Sequence, residues 1–439
     1  MEPDVTSGVP ETVLDLSGLR VLAVAEYGGE LEVLVETIAT SVMCPGCQRR
    51  ASSHARREHL LRDIAVSGRA TVLVWWKRIW RCRNIDCPIV TWSETTCGIS
   101  PRAALTDRVR AWAARQVGQH ADTVAAVARH LGTGWATVMR AVAAVGAPLV
   151  ADPGRLDAVS ALGVDEHVWQ HAGVARRTRF ATGIVDLTPG RPARLLEVTQ
   201  GRTGAVYGDW LAARDPLWRS RITVAALDPF RGYRTALRDQ LPHATHVVDA
   251  FHIVKLGFAV VDEVRRRVQQ EQLGHRGHAG DPLYEVRRLL RRRADRLSDR
   301  NITKLEAALH VGDPTDEVLL AWRIAQDLAK VYASPDAQTG KNRATAVIAA
   351  TRTCPIPEIA RLGRTLTEWQ TEICAYFDTG GASNGPTEAV NLLIEKIRRV
   401  GHGYRNFANY RLRLLLHCGI EWPTILTPRI RRRSPRFVA

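Results

Sequence analysis

LPHATHVVDAFHIVKL, Leu241–Leu256, read together with LDPFRGY at Leu227–Tyr233, decides the fold. Thr223–Leu227 (TVAAL) is a short apolar run with the composition of a buried strand, and it ends on Asp228. Arg231–Gln240 is an amphipathic helix stopped by Pro242, and His246–Val248 is a second buried strand that ends on Asp249. A helix then starts through Phe251 and His252. Strand–helix–strand with apolar strands predicts a parallel pair inside a sheet covered on both faces. Open α/β sheets place their chemistry at the carboxyl ends of such strands, where these two acids stand.

Upstream, Ala161–Trp169 (ALGVDEHVW), Arg179–Leu187 and Ala193–Thr199 are three strands joined by short turns, and Asp165 sits in the middle of the first. Gly201–Arg214 reads as a helix. Three antiparallel strands, a helix, a parallel strand, a helix and another strand make a ribonuclease-H-like order. In that layout Asp165 and Asp228 face each other, and alternation sends Glu166 to the opposite side of the strand. A third carboxylate must come from a helix packed against that edge. In SNGPTEAVNLLIEKIRR (Ser383–Arg399), Pro386 marks the first turn and puts Glu388 there, with Asn391 and Glu395 below it on the same face. Three oxygen ligands gathered in this way call for a hard cation, Mg²⁺ or Mn²⁺. Two such ions would activate a water or a 3′-hydroxyl and stabilise the leaving oxygen of a phosphodiester. Asp186 and Asp249 compete for places in this site. Asp249 has its own use, because Asp249 and His252 are spaced to hydrogen-bond across the start of a helix and so to fix the sheet edge behind the acids.

The front of the chain is different. Leu19–Glu26 and Glu30–Ile38, around Tyr27-Gly28-Gly29, form a hairpin that leads into Cys44-Pro45-Gly46-Cys47. After a strand over Thr71–Trp80 come Cys82 and Cys87. Two Cys pairs on tight knuckles match a tetrahedral four-thiolate Zn²⁺ site that is structural, with Cys97 and His54 as substitute ligands. Residues 101–145 read as helices: Asp107–Val117 capped by Thr106, Ala121–Leu131, a Gly132-Thr133-Gly134 turn, and Trp135–Val145. Helix, Gly-containing turn and helix fit a helix-turn-helix, with Trp135, Thr137 and Arg140 available to a major groove. Ala147–Pro153 is the expected linker.

Bulk properties agree with such a partner. The 61 Lys+Arg against 45 Asp+Glu give a net charge of +16, which implies a polyanion, most simply nucleic acid. Hydrophobic and charged contents of 45% and 24% are those of a globular protein. No run of roughly eighteen apolar residues offers a membrane span. MEPDVTSGVPETVLDL lacks an apolar signal region, so a cytoplasmic, nucleoid-associated protein is expected, and its eight Cys are expected to be thiols or ligands, not disulfides. From Gly257 to about Ala375 the pattern is helical and Arg-rich, and RRLLRRRADRL (Arg287–Leu297) is expected to set Leu289, Leu290 and Leu297 on one helix face. Trp369 is read as a core residue, with stacking on a displaced base as the alternative. The basic end RIRRRSPR (Arg429–Arg436) adds phosphate affinity.

Five ordered stretches, GVDEH, LDPFRGYRTAL, LPHATHVVDAFHIVKL, SNGPTEAVNLLIEKIRR and GYRNFANYRLRLLL, together resemble the DDE transposases of bacterial insertion sequences, of the ISL-three type. The resemblance spans essentially the whole chain, although LDPFRGY departs from the family's usual wording after its Asp. It implies Asp165, Asp228 and Glu388 as the catalytic triad and Mg²⁺ ligands, Asp249 and His252 as the family's D-x-x-H signature, and a helical insertion between His252 and Glu388. It also implies nicking at the ends of a transposon, then attack of the freed 3′-hydroxyl on target DNA. The zinc and helix-turn-helix modules would read terminal inverted repeats. Asn391 and Lys396 would support the site, and Lys396, Arg398 and Arg399 would hold phosphates near the scissile bond. Pairing two ends of double-stranded DNA implies a homodimer or a larger synaptic complex.

The expected domains are a hairpin and zinc module over residues 1–98, a helix-turn-helix over 99–150, the core over 151–258 and 377–420, an α-helical insertion over 259–376, and a basic tail over 421–439. The competing reading is a DNA-binding regulator with an inactive transposase-like body. A structure-specific nuclease without strand transfer is a third.

Overall fold

The structure is a computed structural model that describes residues 18–173 and 177–423. The acidic N-terminal stretch and the basic Arg429–Arg436 run lie outside the described residues. The chain divides into two compact units. One is made of the N-terminal part to Arg155 with Val400–His402 and the chain from Ala408, the other of Leu156–Arg399 with Gly403–Phe407.

In the first unit, strands β1 (Leu19–Tyr27) and β2 (Glu30–Thr37) form the expected hairpin. Its turn residues Gly28 and Gly29 have φ of +60° and +82°, the left-handed pair that a two-residue hairpin needs. In β2 the sequence ELEVLVET alternates half-buried and buried positions along its whole length. A second hairpin, β3 (Ser52–Val66) and β4 (Arg69–Arg81), completes the sheet in the order β1-β2-β4-β3, with β5 (Thr91–Ser93) on β4. The sequence reading did not anticipate β3. Its first half, SSHARREH, is charged and largely exposed, so the apolar alternation that marks a strand is missing there. The core under this sheet is Val33, Val35, Leu61, Leu73 and Trp75.

Helices α1 (Asp107–Gly118), α2 (Val124–His130) and α3 (Trp135–Ala151) follow. Thr106 caps α1 as its sequence suggests, accepting from the Val109 amide. The Thr106 hydroxyl also donates to buried Asp63 of β3 at 2.7 Å, which ties the helices to the sheet. Helix α3 runs through the expected linker to Ala151 with Pro148 inside it. The stripe Val142, Gly146 and Val150 stays buried there, and its packing outweighs the cost of the proline.

The expected core segment 377–420 is divided. Its last helix packs on the helix-turn-helix: a Cβ at Gly146 would lie 2.7 Å from Leu416, Arg413 donates to the Asp122 carbonyl at 3.0 Å, and His417 Nδ1 is 2.8 Å from the Gly118 carbonyl.

The second unit is built on β6 (Ala161–Gln170), β7 (Arg179–Asp186), β8 (Arg194–Gln200), β9 (Val224–Leu227) and β10 (Thr245–Val248), in the order β10-β9-β6-β7-β8. β6, β9 and β10 run parallel, and β7 pairs antiparallel with both β6 and β8, which is the ribonuclease-H-like arrangement. Helices α4 (Gly204–Ala212), α5 (Pro216–Ser220) and α6 (Arg231–Gln240) connect β8 to β10, and α7 (Ala250–Leu273) leaves β10. A helical insertion follows: α8 (Pro282–Glu285), α9 (Asp299–Gly312), α10 (Glu317–Tyr332), α11 (Ala337–Arg352), α12 (Pro357–Glu368) and α13 (Gln370–Asp378). The chain returns to the sheet with α14 (Gly385–Val400), and the last element among the described residues is α15 (Phe407–Cys418).

Arg287–Leu297 is not the expected helix but a series of turns with a short 3₁₀ segment, Ala294–Arg296. Buried Gln326 of α10 accepts from the Ala294 amide at 2.7 Å and donates to the Arg292 carbonyl at 3.1 Å, which holds the backbone out of helical register. Leu290 is still buried, with Leu289 and Leu297 packed beside it. Trp369 is 2% exposed in the same core and carries the Arg234 guanidinium over its ring, so it has no face left for a base.

Candidate active site, zinc cluster and DNA-binding helix

The four thiols Cys44, Cys47, Cys82 and Cys87 converge, with every ligand atom within 4.8 Å of the others. Cys44 and Cys87 sulfurs are 3.7 Å apart, and those of Cys47 and Cys82 are 3.5 Å apart. A tetrahedron with Zn–S bonds of ~2.3 Å has edges of roughly 3.8 Å, so the spacing fits a single Zn²⁺. Cys87 is close enough to Gly46 that a Cβ there would sit 3.2 Å from its sulfur, which explains a glycine in the first knuckle. Neither Cys97 nor His54 joins the cluster, and Cys97 is exposed.

Helices α2 and α3 are bent by 111° across the Leu131–Gly134 turn, within the range of a helix-turn-helix. No single helix among the described residues is long and apolar enough to cross a membrane. At the start of α3, Trp135 is 50% exposed, and Arg140 is exposed with its guanidinium 3.5 Å from the Thr137 hydroxyl. Thr137 and Arg140 line a cavity of about 320 Å³ with Ser100, Arg102 and Arg110. This is a cationic, hydroxyl-bearing surface suited to phosphate and base edges.

The acids meet in the second unit. β6 and β9 are parallel neighbours with Val164 opposite Leu227, so Asp165 and Asp228 leave the two strands side by side. Burial pushes the Asp165 carboxyl up to about 7, and repulsion from Asp228 adds to it. Asp228 is raised for the same first reason, burial, although His252 and Asn384 work against the shift. Two half-buried carboxylates that resist ionisation together have the chemistry that a hard cation would neutralise.

Asn391 of α14 donates to Asp165 Oδ2 at 2.5 Å, and the Glu166 amide donates to Oδ1 at 2.7 Å. Glu166 lies on the other face of β6, as alternation requires, and accepts from the Tyr233 hydroxyl at 3.4 Å. Tyr233 is the second aromatic of LDPFRGY and is fully buried.

Asp249 caps α7. Its Oδ2 accepts from the His252 amide at 3.2 Å and lies 3.1 Å from His252 Nδ1. The other ring nitrogen, Nε2, lies 3.2 Å from Asp228 Oδ2, so His252 bridges the two acids instead of standing behind them. Burial opposes ionisation of Asp249, but the hydrogen bonds from His252 and Asn384 outweigh it and hold the carboxyl low. His252 is raised, first by its bond to Asp249. Glu388 joins this pair: its carboxylate, Asp249 and His252 offer ligand atoms all within 4.8 Å.

Asn384 is the residue that sequence reasoning left without a role. Its side-chain amide donates to Asp228 Oδ1 at 3.2 Å and to the Val164 carbonyl at 3.1 Å, and its backbone amide donates to Asp249 Oδ1 at 3.1 Å. It thus touches both strand-end acids and the strand that carries the third. Gly163 makes room for it, since a Cβ there would lie 2.3 Å from Thr387 Oγ1 and 2.7 Å from Asn384 Oδ1. The signal was an Asn just before the helix start, where a polar side chain turns back on neighbouring backbone.

Other expected residues sit apart. Asp186 is buried with Arg191 and Arg194 as partners at 2.6 and 3.0 Å, which removes it from competition for the site. Arg398 and Arg399 both donate to Glu395, at 2.6–2.7 Å, while Lys396 is exposed.

A family model described as transposase, of the ISL3 DDE type, matches residues 162–414, more than half of the chain. The helix-turn-helix domain of transposase family ISL3 matches residues 94–146, and the zinc-finger of transposases IS204/IS1001/IS1096/IS1165 matches residues 40–87. The transposase for insertion sequence element IS1001 of Bordetella parapertussis is 29% identical over 308 residues, covering 70% of this chain and 71% of that protein. Among solved structures, the Drosophila P element transposase strand transfer complex matches with a TM-score of 0.41 and 10% identity, over 71% of this chain and 91% of that one. Zinc-finger, helix-turn-helix and catalytic segments thus follow one another in a single family's order, and the chain belongs to the ISL3 family of DDE transposases, DNA-cutting and strand-transferring enzymes that use divalent metal.

Proposed function

We propose that Asp165, Asp228 and Glu388 hold two Mg²⁺ (or Mn²⁺) ions and carry out nicking at the terminal inverted repeats of an insertion sequence, followed by strand transfer into target DNA. The observation that carries this reading is the pair Asp165 and Asp228, which issue from neighbouring parallel strands and are both raised by burial, with repulsion from Asp228 added at Asp165. When bound, the ions supply an activated nucleophile and charge stabilisation for an in-line phosphoryl transfer. The chain's own residues do the rest. Asn391 orients Asp165, and Asn384 orients Asp228 and Asp249. His252, held by Asp249, keeps a ring nitrogen against Asp228 and fixes its carboxylate plane. The four-cysteine module and the α2–α3 pair, through Trp135, Thr137 and Arg140, recognise the ends. Lys396 is exposed and open to phosphate, with Arg398 and Arg399 released from Glu395 as DNA arrives. Two ends require two copies at least, in the bacterial cytoplasm at the nucleoid.

The test is nicking of a labelled duplex carrying the element's own end, in Mg²⁺, by wild type, Asp228→Asn and Asp249→Asn. We expect Asp228→Asn to lose at least about 10³-fold in rate while end binding persists, and Asp249→Asn to lose about 10–100-fold as an outer ligand does. A specific observation favours a second ligand set: Asp249, His252 and Glu388 lie within ligand distance of one another. If Asp249→Asn is inactive and Asp228→Asn still nicks, that set is the metal site.

A further inference from the structure

Beside the acids, a cavity of about 530 Å³ opens between α7, α10 and the turns after α8. Its walls carry Phe251, Phe258 and Tyr332 together with three cations, Lys255, Arg291 and Arg293. Phe251 is 57% exposed, unusual for a phenylalanine in a helix whose other apolar residues are largely packed. The Phe251 ring stands edge-on to His252, centroids 5.4 Å apart, and His252 in turn touches Asp228. The cavity mouth therefore lies next to the acids. Tyr332 is packed against Tyr376 and Phe377, which fixes its ring, yet its hydroxyl is buried without a hydrogen-bond partner among the described residues. Arg291 is exposed and has no ion pair among the described residues, whereas Arg293 shares Asp295.

We infer that this cavity receives a single unpaired nucleotide of the DNA next to the scissile phosphate. The exposed Phe251 ring offers a stacking face that any base can use. The three cations match the flanking phosphates in sign, which an apolar protein segment would not need. A duplex is too wide for a space of this size, so the base must leave its pair to enter. The inference rests on the reading of the neighbouring acids as the nicking centre, but its test does not.

The test is a fluorescence titration of the full chain with a short DNA duplex carrying 2-aminopurine, either paired or placed opposite an abasic site. Wild type is expected to bind the unpaired form about tenfold more tightly and to quench it by stacking. Phe251→Ala is expected to bring the two affinities within about twofold, while Phe251→Tyr keeps the preference. Phe251 is exposed, so its truncation leaves the core intact. No preference in wild type, or a preference that survives Phe251→Ala, overturns the assignment. Nicking by Asp228→Asn is read in parallel. If that variant is inactive and Phe251→Ala keeps the preference, the cavity assignment alone fails. If that variant still nicks while Phe251→Ala abolishes the preference, the reading of the acids fails and the cavity remains a nucleotide site.

Discussion

The four-thiol cluster and the acid cluster solve one problem in opposite ways. Both gather groups that repel one another when ionised, and both call for a cation. The thiolates come as two close pairs on knuckles, and all four coordination positions are supplied by the protein, so the metal substitutes for a core that the knuckles lack, beside a sheet that has its own. The carboxylates come from β6, β9 and α14, with the Asp165–Asn391 contact bridging 226 positions, on a sheet whose core is already complete. In the first region the metal completes the knuckles; in the second the fold gathers the acids that we propose as metal ligands.

The difference can be broken most directly at the thiols. Cys44→Ser should abolish zinc retention and unfold the two knuckles, because metal binding is worth about 10–16 kcal/mol of folding energy in comparable coreless sites. Native mass spectrometry and protease resistance of residues 40–98 report it, and folded, zinc-free knuckles would end the contrast. Asn384→Ala should slow nicking about 10–100-fold with end binding unchanged, since it orients two acids but ligates nothing. A loss in binding of the same size would mean that it only holds the fold.

The acid cluster should also show itself in the absence of metal. Asp165 takes its proton at about 7, above the ordinary carboxylate range, so the folded state binds protons more tightly than the unfolded chain. Its contribution is fully present below pH ~4 and is lost as pH rises to about 7. Asp165→Asn should therefore stabilise the metal-free protein, by on the order of 2 kcal/mol at pH 8 and by little at pH 4, as read by denaturant titration. An equal gain at both pH values would remove the electrostatic cause. An effect of similar size is expected at Gly163→Ala, where the added methyl meets Thr387 and Asn384 and should cost about 1–3 kcal/mol in thermal unfolding.

Much of this was legible in the sequence, and for physical reasons. VAAL is a continuous apolar run and THVV closes on two buried valines, each stops at an acid, and α6 carries one clean amphipathic stripe, so the β9–α6–β10 unit could be read directly. The Cys pairs declared themselves by spacing. What escaped was decided by tertiary contacts. β3 is recruited by its hairpin partner and not by its own pattern. The Arg287–Leu297 turns depend on Gln326, some thirty residues on. Helix α3 overrides Pro148 because buried residues continue beyond it. At the site, Asn384 was visible as a motif letter, but its contacts with two acids depend on a close approach that only Gly163 allows.

The last helices of the chain have a consequence for synthesis. Helix α14 brings Glu388 and Asn391 to the sheet of the second unit, and α15 fills the groove beside Gly118 and Gly146 in the first. A ribosome therefore releases the segments for reading DNA early, yet both units stay incomplete until residues 385–418 emerge. A product cut short before residue 385 would have neither a finished cutting centre nor a properly seated reading head. It would then be a poor competitor for the ends that the full-length enzyme must find.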